Sequence, residues 1–151
     1  MTDDELAQLK TFMEEQIPFN AFLGMKVSYL GDGEAEMMIP CRAELTGDPF
    51  RPALHGGVLS SLADTVGGLA VFSQVGRTRI ASTVDLRVDY LRPGDVSADI
   101  FARARVIRVG NRVAATHTVV YQEDIDAPIA TANAVYNMVS RDWVSRTPSD
   151  D

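Results

Sequence analysis

The spacing of apolar residues predicts a short helix and a β-hairpin in the first third of the chain. Apolar residues recur at helical intervals over residues 3–16, and Pro18 is expected to end this helix. Residues 25–30 and 34–39 have the composition of two strands joined by a glycine-containing turn. Residues 43–54 are interrupted by Gly47, Asp48, Pro49 and Pro52 and are expected to be irregular.

A second helix is predicted over residues 55–72. Its residues are apolar around most of the helical circumference, which is typical of a helix buried on most sides. Its polar residues fall in a single patch: Ser60, Ser61, Asp64 and Thr65.

The rest of the chain predicts four strands joined by short turns. They span residues 79–90, 96–109, 112–123 and 129–139. In the first of them the alternation is strict, which places Val84 on the apolar face and Thr83 on the opposite one. Strands segregated from one long helix indicate the α+β class, with a curved antiparallel sheet around the central helix.

Composition narrows the class of protein. A chain of 151 residues fits one domain, and the lone Cys41 excludes a disulfide scaffold. A net charge of −7 argues against nucleic-acid binding. No stretch approaches 18 uninterrupted apolar residues, and the acidic start of the chain does not resemble a signal peptide. We therefore expect a cytoplasmic protein with no membrane segment.

The start of the buried helix has the features of an oxyanion-binding site. The sequence Leu54-His55-Gly56-Gly57 places two glycines where backbone N–H groups lack partners within the helix. Glycine lets a ligand approach these groups, and the helix dipole favours negative charge there. Such a site suits a carbonyl oxygen that becomes negative during a reaction. The alternative is that Gly56 and Gly57 only permit a tight turn.

Asp64 is anomalous because it interrupts an otherwise apolar helix. A buried carboxylate is costly unless it is paired, and aspartate is a poor helix former. It either bonds to neighbouring polar groups or serves as a general base or nucleophile in a cleft. Gly57 and Asp64 lie seven residues, or about 10 Å, apart on a helix, too far to act on one bond. Two antiparallel helices meeting across a two-fold dimer would bring them together.

Three segments together resemble hotdog-fold acyl-CoA thioesterases of the phenylacetate-pathway (PaaI-like) type. They are "HGGVLSSLADTVGG" from His55, "STVDLRVDYLRPG" over residues 82–94 and "ARVIRVGNRVAATH" over residues 104–117. The resemblance covers roughly residues 20–140. It implies an N-terminal helical extension (1–20), a hotdog domain (21–140) and a polar C-terminal tail (141–151).

The resemblance also implies roles for individual residues. The N–H of Gly56 or Gly57 polarises the thioester carbonyl, and Asp64 acts as nucleophile or activates water. His55 orients the thioester or the loop, and the Thr83 hydroxyl helps to place the water. The reaction needs no metal and no cofactor, and the family forms homodimers that commonly associate into tetramers.

One position departs from the family pattern. Many members carry Asn or Gln in the loop before the HGG motif, where this chain offers Asp48 in "TGDPFRPALHGG". An ionised aspartate accepts hydrogen bonds but cannot donate them. The role of Asp48 near Asp64 is therefore open.

Six arginines lie within residues 87–112 of this acidic chain. Guanidinium groups bind phosphates through charge-assisted hydrogen bonds, and coenzyme A carries several phosphates. We expect at least one of Arg92, Arg108 and Arg112 to contact CoA, although exposed strands often carry charge without a ligand. Phe50 and Ser61 are further candidates for substrate contact.

Other chemistries fit less well. A triad of Ser60 or Ser61 with His55 and Asp64 lacks the nucleophile-elbow motif. The two histidines, His55 and His117, are far apart in sequence and form no H-E-x-x-H motif. They therefore do not suggest a metal site. A hotdog hydratase or dehydratase, and a non-catalytic acyl-CoA-binding protein, remain as alternatives.

Overall fold

The computed structural model describes residues 3–76 and 79–140, so the C-terminal tail lies outside the described residues. Three α-helices and six strands follow one another along the chain. The helices are α1 (Asp3–Thr11), α2 (Pro18–Leu23) and α3 (Gly56–Val75). The strands are β1 (Lys26–Leu30), β2 (Glu34–Ile39), β3 (Arg79–Tyr90), β4 (Ile100–Val109), β5 (Val113–Tyr121) and β6 (Ala130–Ser140).

The N-terminal region contains one more helix than the sequence predicts. α1 continues into a π-helical turn over Phe12–Gln16, and Pro18 then begins α2 instead of ending the helical region. Proline fits the first position of a helix, because its missing N–H has no partner there in any case. Gly24, with a φ of +70°, ends α2 in the left-handed conformation that glycine adopts at little cost.

Two buried polar side chains attach this region to the core. The Glu14 carboxylate accepts hydrogen bonds from the Val27 N–H at 2.9 Å and from Lys26 Nζ at 3.1 Å. The Asn20 side chain donates to the Met13 carbonyl at 2.9 Å, which bridges the π-helical turn and α2. Buried polar groups that are satisfied in this way hold a segment in one arrangement.

All six strands form one antiparallel sheet in the order β1-β2-β4-β5-β6-β3. β4 starts at Ile100, later than the predicted residue 96. The Asp95 carboxylate accepts hydrogen bonds from the Ser97 N–H and hydroxyl, which holds this stretch in a turn. β1 and β3 are the two edges of the sheet.

α3 lies in the concavity of the sheet and packs against every strand from β2 to β6. Leu62, Ala63, Val66 and Ala70 are fully buried in this interface. α3 is long and apolar enough to span a membrane, but half of its most apolar window is buried inside the fold. Its composition is that of a core helix, and the predicted α+β architecture with a central helix is confirmed.

A β-bulge in β3 overturns the predicted strict alternation. Thr83 pairs with Tyr136 and Asp85 with Val135, so Val84 has no partner on β6 and its side chain is 65% exposed. The extra residue reverses which side chains face the helix. Thr83 before the bulge and Tyr90 after it both reach α3, although their numbering would place them on opposite faces.

α3 approaches β6 closely at Gly67. A Cβ atom there would lie 2.2 Å from the hydroxyl oxygen of Tyr136, whereas at Gly68 it would lie 3.6 Å from the nearest atom, on the same ring. We expect Gly67→Ala to lower the free energy of unfolding by about 1–3 kcal/mol through overpacking. The matched control, Gly68→Ala, should be neutral or stabilising by up to about 1 kcal/mol because alanine favours the helix.

Urea denaturation of both variants measures the difference. Equal stability of the two variants would show that Tyr136 does not constrain α3 at this point.

Candidate active site

The N-terminus of α3 is capped by the side chain of the residue before it. His55 Nδ1 accepts a hydrogen bond from the Gly57 N–H at 2.9 Å. The His55 carbonyl accepts from the Val58 N–H, also at 2.9 Å. The cap occupies the N–H of Gly57, one of the two donors that the sequence left as alternatives.

Gly56 is therefore the glycine with an available donor. Its N–H has no hydrogen-bond partner among residues 3–76 and 79–140. Its carbonyl accepts from the Tyr90 hydroxyl at 3.1 Å, which ties the first turn of the helix to the end of β3. A backbone N–H at a helix N-terminus can stabilise a developing oxyanion.

Asp64 lies half-buried in the middle of α3, where β3 crosses the helix. The Thr83 hydroxyl donates to Asp64 Oδ1 at 2.7 Å. Asp64 Oδ2 accepts no hydrogen bond from the described part of the protomer and is the oxygen open to a ligand. The structure therefore brings together two of the candidate residues, Asp64 and Thr83, on neighbouring elements.

Tyr136 fixes the backbone under this carboxylate. Its hydroxyl donates to the Asp64 carbonyl at 2.7 Å from a nearly fully buried position. Burial, and then the negative charge of Asp64, raise the pKa of the Tyr136 phenol. The phenol consequently remains a protonated hydrogen-bond donor at neutral pH.

A cavity of about 720 Å³ opens beside Asp64 and Thr83. Along α3 it is lined by Asp64, Thr65, Gly68, Leu69 and Phe72. The N-terminal helices supply a second wall, and the start of β3 with Tyr136 supplies a third. The residues from the N-terminal helices are Ala7, Gln8, Leu9, Thr11, Phe12, Met13, Gln16, Ile17 and Asn20. The lining is predominantly apolar, as in sites that hold an organic ligand.

The N-terminal wall and the two tyrosines are the parts that sequence reasoning missed. The helical spacing of apolar residues in the first 16 residues predicted one helix there but did not predict α2. In the sequence, Tyr90 and Tyr136 are distinguished only by their positions in predicted strands. A tyrosine on the helix-facing side of a strand is the pattern that could have indicated a hydroxyl bonded to the helix backbone.

The oxyanion-type donor and the carboxylate do not meet within one protomer. Gly56 and Asp64 are eight residues apart on the same helix, which corresponds to about 12 Å along its axis. A thioester carbonyl and the water that attacks it lie within about 3–3.5 Å of each other. One copy of α3 therefore does not bring the Gly56 N–H and the Asp64 carboxylate to the same reacting bond.

The other predicted residues lie outside the cavity. The Asp48 carboxylate accepts from the Phe50 and Arg51 N–H groups and pairs with the Arg51 side chain. The backbone N–H groups, foremost that of Phe50, lower the Asp48 pKa. Phe50 is 92% exposed on the same loop. Arg92 donates to the Pro128 and Ala127 carbonyls.

The remaining candidates are two arginines near the β4–β5 turn and two serines in the first turns of α3. Arg108 and Arg112 lie exposed on either side of the β4–β5 turn. The Ser61 hydroxyl donates to the Gly57 carbonyl at 2.7 Å, and the Ser60 hydroxyl bonds to the Gly56 and Gly57 carbonyls. Both serines thus bond to helix carbonyls and not to His55, which disfavours a serine triad. Within the described ranges, no three His, Cys, Asp or Glu side chains cluster as a metal site would require.

A model of the family described as "Thioesterase superfamily" matches residues 52–129, which include the start of α3, Asp64 and Thr83. The match covers about half of the chain. The chain belongs to the thioesterase superfamily. The enzyme is thus a thioester hydrolase, and its sheet wrapped around a central helix is the hotdog fold that the sequence resemblance implied.

Relatives of this thioesterase support the same placement. The medium/long-chain acyl-CoA thioesterase YigI of Escherichia coli is 33% identical over 133 residues, covering 80% of this chain and 84% of the relative. The structure of the phenylacetic acid degradation protein PaaI from Thermus thermophilus is 31% identical with a TM-score of 0.69, covering 80% of this chain and 97% of that one. A thioesterase of Haemophilus influenzae is 25% identical with a TM-score of 0.75, covering 93% and 92%.

The capping role of His55 is open to a direct test in this thioesterase. We expect His55→Ala to lower the free energy of unfolding by about 0.5–2 kcal/mol, because the Gly57 N–H loses its acceptor. His55→Asn should retain most of the stability, since asparagine is among the best capping residues. Thermal unfolding of the two variants measures the effect, and equal losses in both would contradict a capping role.

Proposed function

We propose that this chain is an acyl-CoA thioesterase acting on medium-length acyl chains. The observation that carries the proposal is the position of Asp64 and Thr83 beside a largely apolar cavity of about 720 Å³. Such a cavity accommodates the acyl group, and the carboxylate stands where the thioester carbonyl would enter. The name of the YigI relatives, medium/long-chain acyl-CoA thioesterase, agrees with this substrate class.

In the proposed reaction, Asp64 Oδ2 accepts a proton from water as the water oxygen attacks the thioester carbon. The Thr83 hydroxyl donates to Oδ1 and holds the carboxylate in this orientation. The carbon–sulfur bond then breaks, the CoA sulfur leaves with the proton that Asp64 took from water, and the free carboxylic acid is the second product. No cofactor takes part.

The oxyanion of this reaction would be stabilised from the other subunit. We propose a homodimer in which the Gly56 N–H of one protomer polarises the carbonyl next to Asp64 of its partner. The free N–H of Gly56 and the distance of about 12 Å between the two positions on one helix support this arrangement. β3 is an edge strand with exposed apolar residues, among them Val84 and Tyr90, and is suited to pairing with a second copy.

The remaining candidates belong to the same proposal. Arg92, Arg108 and Arg112 would contact the phosphates of CoA, and the exposed loop with Asp48 and Phe50 would approach the substrate across the dimer interface. Ser61, about one turn before Asp64 on α3, would contact the substrate as it enters. The proposal also includes association of two dimers into a tetramer and a cytoplasmic location.

Replacing the carboxylate tests the chemistry. We expect Asp64→Asn to lower kcat by at least about 10³-fold on acyl-CoA substrates, because the amide cannot accept the proton from water. Asp32→Asn, in the exposed β1–β2 turn, is the matched control and should leave kcat within about twofold. Release of free thiol from a panel of acetyl, octanoyl, dodecanoyl, hexadecanoyl and phenylacetyl thioesters of CoA measures both variants.

The same panel separates the alternatives. Full activity in Asp64→Asn would remove the role given to that carboxylate. An enzyme that hydrates enoyl-CoA but releases no thiol would be the hydratase. Binding of acyl-CoA without turnover of either kind would leave a binding protein.

A matched pair of variants at Gly56 separates the loss of its N–H from the addition of a Cβ next to Tyr90. His55 has a φ of −65° and a ψ of +128°, which are compatible with a following proline, and proline suits the first helical position. We expect Gly56→Pro to lower kcat by about 10²–10³-fold through loss of one oxyanion donor. Gly56→Ala adds a similar Cβ next to the Tyr90 ring but keeps the N–H, and it should be the far more active of the pair.

A mixture of subunits tests whether the two halves come from different protomers. Gly56→Pro and Asp64→Asn, each nearly inactive alone, are co-expressed so that about half of the dimers are mixed. Each mixed dimer contains one site with both intact residues, so activity should return to about a quarter of the wild-type level. No recovery in purified mixed dimers would show that each site is built within one chain.

A further inference from the structure

The cavity follows one stripe of α3 that the sheet leaves uncovered. Asp64, Thr65, Gly68 and Phe72 are half-buried and line it together with the buried Leu69, whereas Val66, Ala70 and Val71 between them are fully buried in the core. These positions repeat at one-turn intervals, so the cavity extends along the helix axis. Asp64 lies towards one end of the stripe and Phe72 at the other.

The lining residues on α3 and on β3 give similar estimates for the length of this cavity. From Asp64 to Phe72 the helix rises by about 12 Å over eight residues. From Thr83 back to Ile80, which also line the cavity, the strand covers about 10 Å. An extended acyl chain advances about 1.25 Å for each carbon, given C–C bonds of about 1.5 Å. The cavity therefore holds about eight to ten carbons beyond the reaction centre.

Gly68 keeps the middle of the cavity open. A Cβ there would meet only the Tyr136 ring at 3.6 Å, an ordinary contact, so a larger side chain would extend into the cavity without a clash at its base. Gly68 lies one turn, or about 6 Å, beyond Asp64. Phe72, one further turn along, places its ring where the α3 wall ends.

The opposite wall is held in place and does not adapt freely to the ligand. Met13 and Asn20 line the cavity and are joined by a hydrogen bond of 2.9 Å. Glu14, between them in sequence, is bonded to the backbone of β1. A wall fixed by buried hydrogen bonds gives the cavity a defined length.

We propose that Gly68 and Phe72 set the acyl-chain length: Gly68 admits chains longer than about five carbons, and Phe72 stops them at about ten. This inference rests on the proposed function, since it assigns chain length to the site where Asp64 acts. In the wild-type enzyme, kcat/KM rises about three- to fourfold with each added methylene up to about ten carbons and then ceases to rise.

The test compares two substitutions with opposite expected effects. Gly68→Leu fills the middle of the cavity, and the ratio of kcat/KM for decanoyl-CoA over butanoyl-CoA should fall by at least 100-fold. Phe72→Ala opens the end, and the ratio for tetradecanoyl-CoA over decanoyl-CoA should rise by about tenfold. Each ratio is measured within one enzyme preparation, so a partly unfolded variant does not change it.

Gln74→Leu is the control, because it adds a similar side chain to an exposed position of α3 outside the cavity. Both of its ratios should match the wild type. Active Gly68→Leu and Phe72→Ala enzymes with wild-type ratios would overturn the chain-length assignment while leaving the thioesterase proposal intact.

Absence of hydrolysis for every chain length would instead overturn the proposed function. In that case, calorimetric binding of free fatty acids of 4 to 16 carbons provides the second readout. The length preference should shorten in Gly68→Leu and lengthen in Phe72→Ala, and an unchanged preference would overturn the assignment.

Discussion

The contact between Tyr136 and α3 is the constraint around which the site is organised. Gly67 lets the Tyr136 ring approach the helix backbone, and the phenol then bonds to the carbonyl of Asp64. This bond fixes where β6 lies relative to the helix, and β3 is placed through its pairing with β6. The Thr83–Asp64 hydrogen bond depends on all three positions at once. The carboxylate is therefore oriented by the packing of the core and not by a flexible loop.

Much of this architecture could be predicted because the spacing of apolar residues and the residue types found in turns are local properties of the sequence. The central helix, the hairpins and the strands were visible in this way, and the HGG motif with Asp64 marked the helix that borders the cavity. The bulge at Val84 was not visible, because its cause is pairing with β6 and not the alternation of β3 itself. Pro18 was misread because the same residue can end one helix or begin the next. The choice between Gly56 and Gly57 needed the His55 ring, whose hydrogen bond no sequence pattern specifies.

α3 carries two different polar features, one at its N-terminus and one in its middle. Its N-terminus offers the unpaired N–H of Gly56, and its middle carries the carboxylate of Asp64 among otherwise apolar residues. The half-buried carboxylate is tolerated there because Thr83 donates to it and because the stripe is open to the cavity. The same opening leaves Asp64 accessible to a ligand.

The separate origin of the cavity walls bears on how such enzymes diversify. One wall belongs to the core helix and carries Asp64, whereas the other consists of residues that precede β1 and attach to the sheet mainly through Glu14 and β1. Mutation or exchange of that leading segment can reshape the cavity while the reacting groups stay in register. The shape of the cavity can in this way change through the leading segment without any change in the helix that carries the carboxylate.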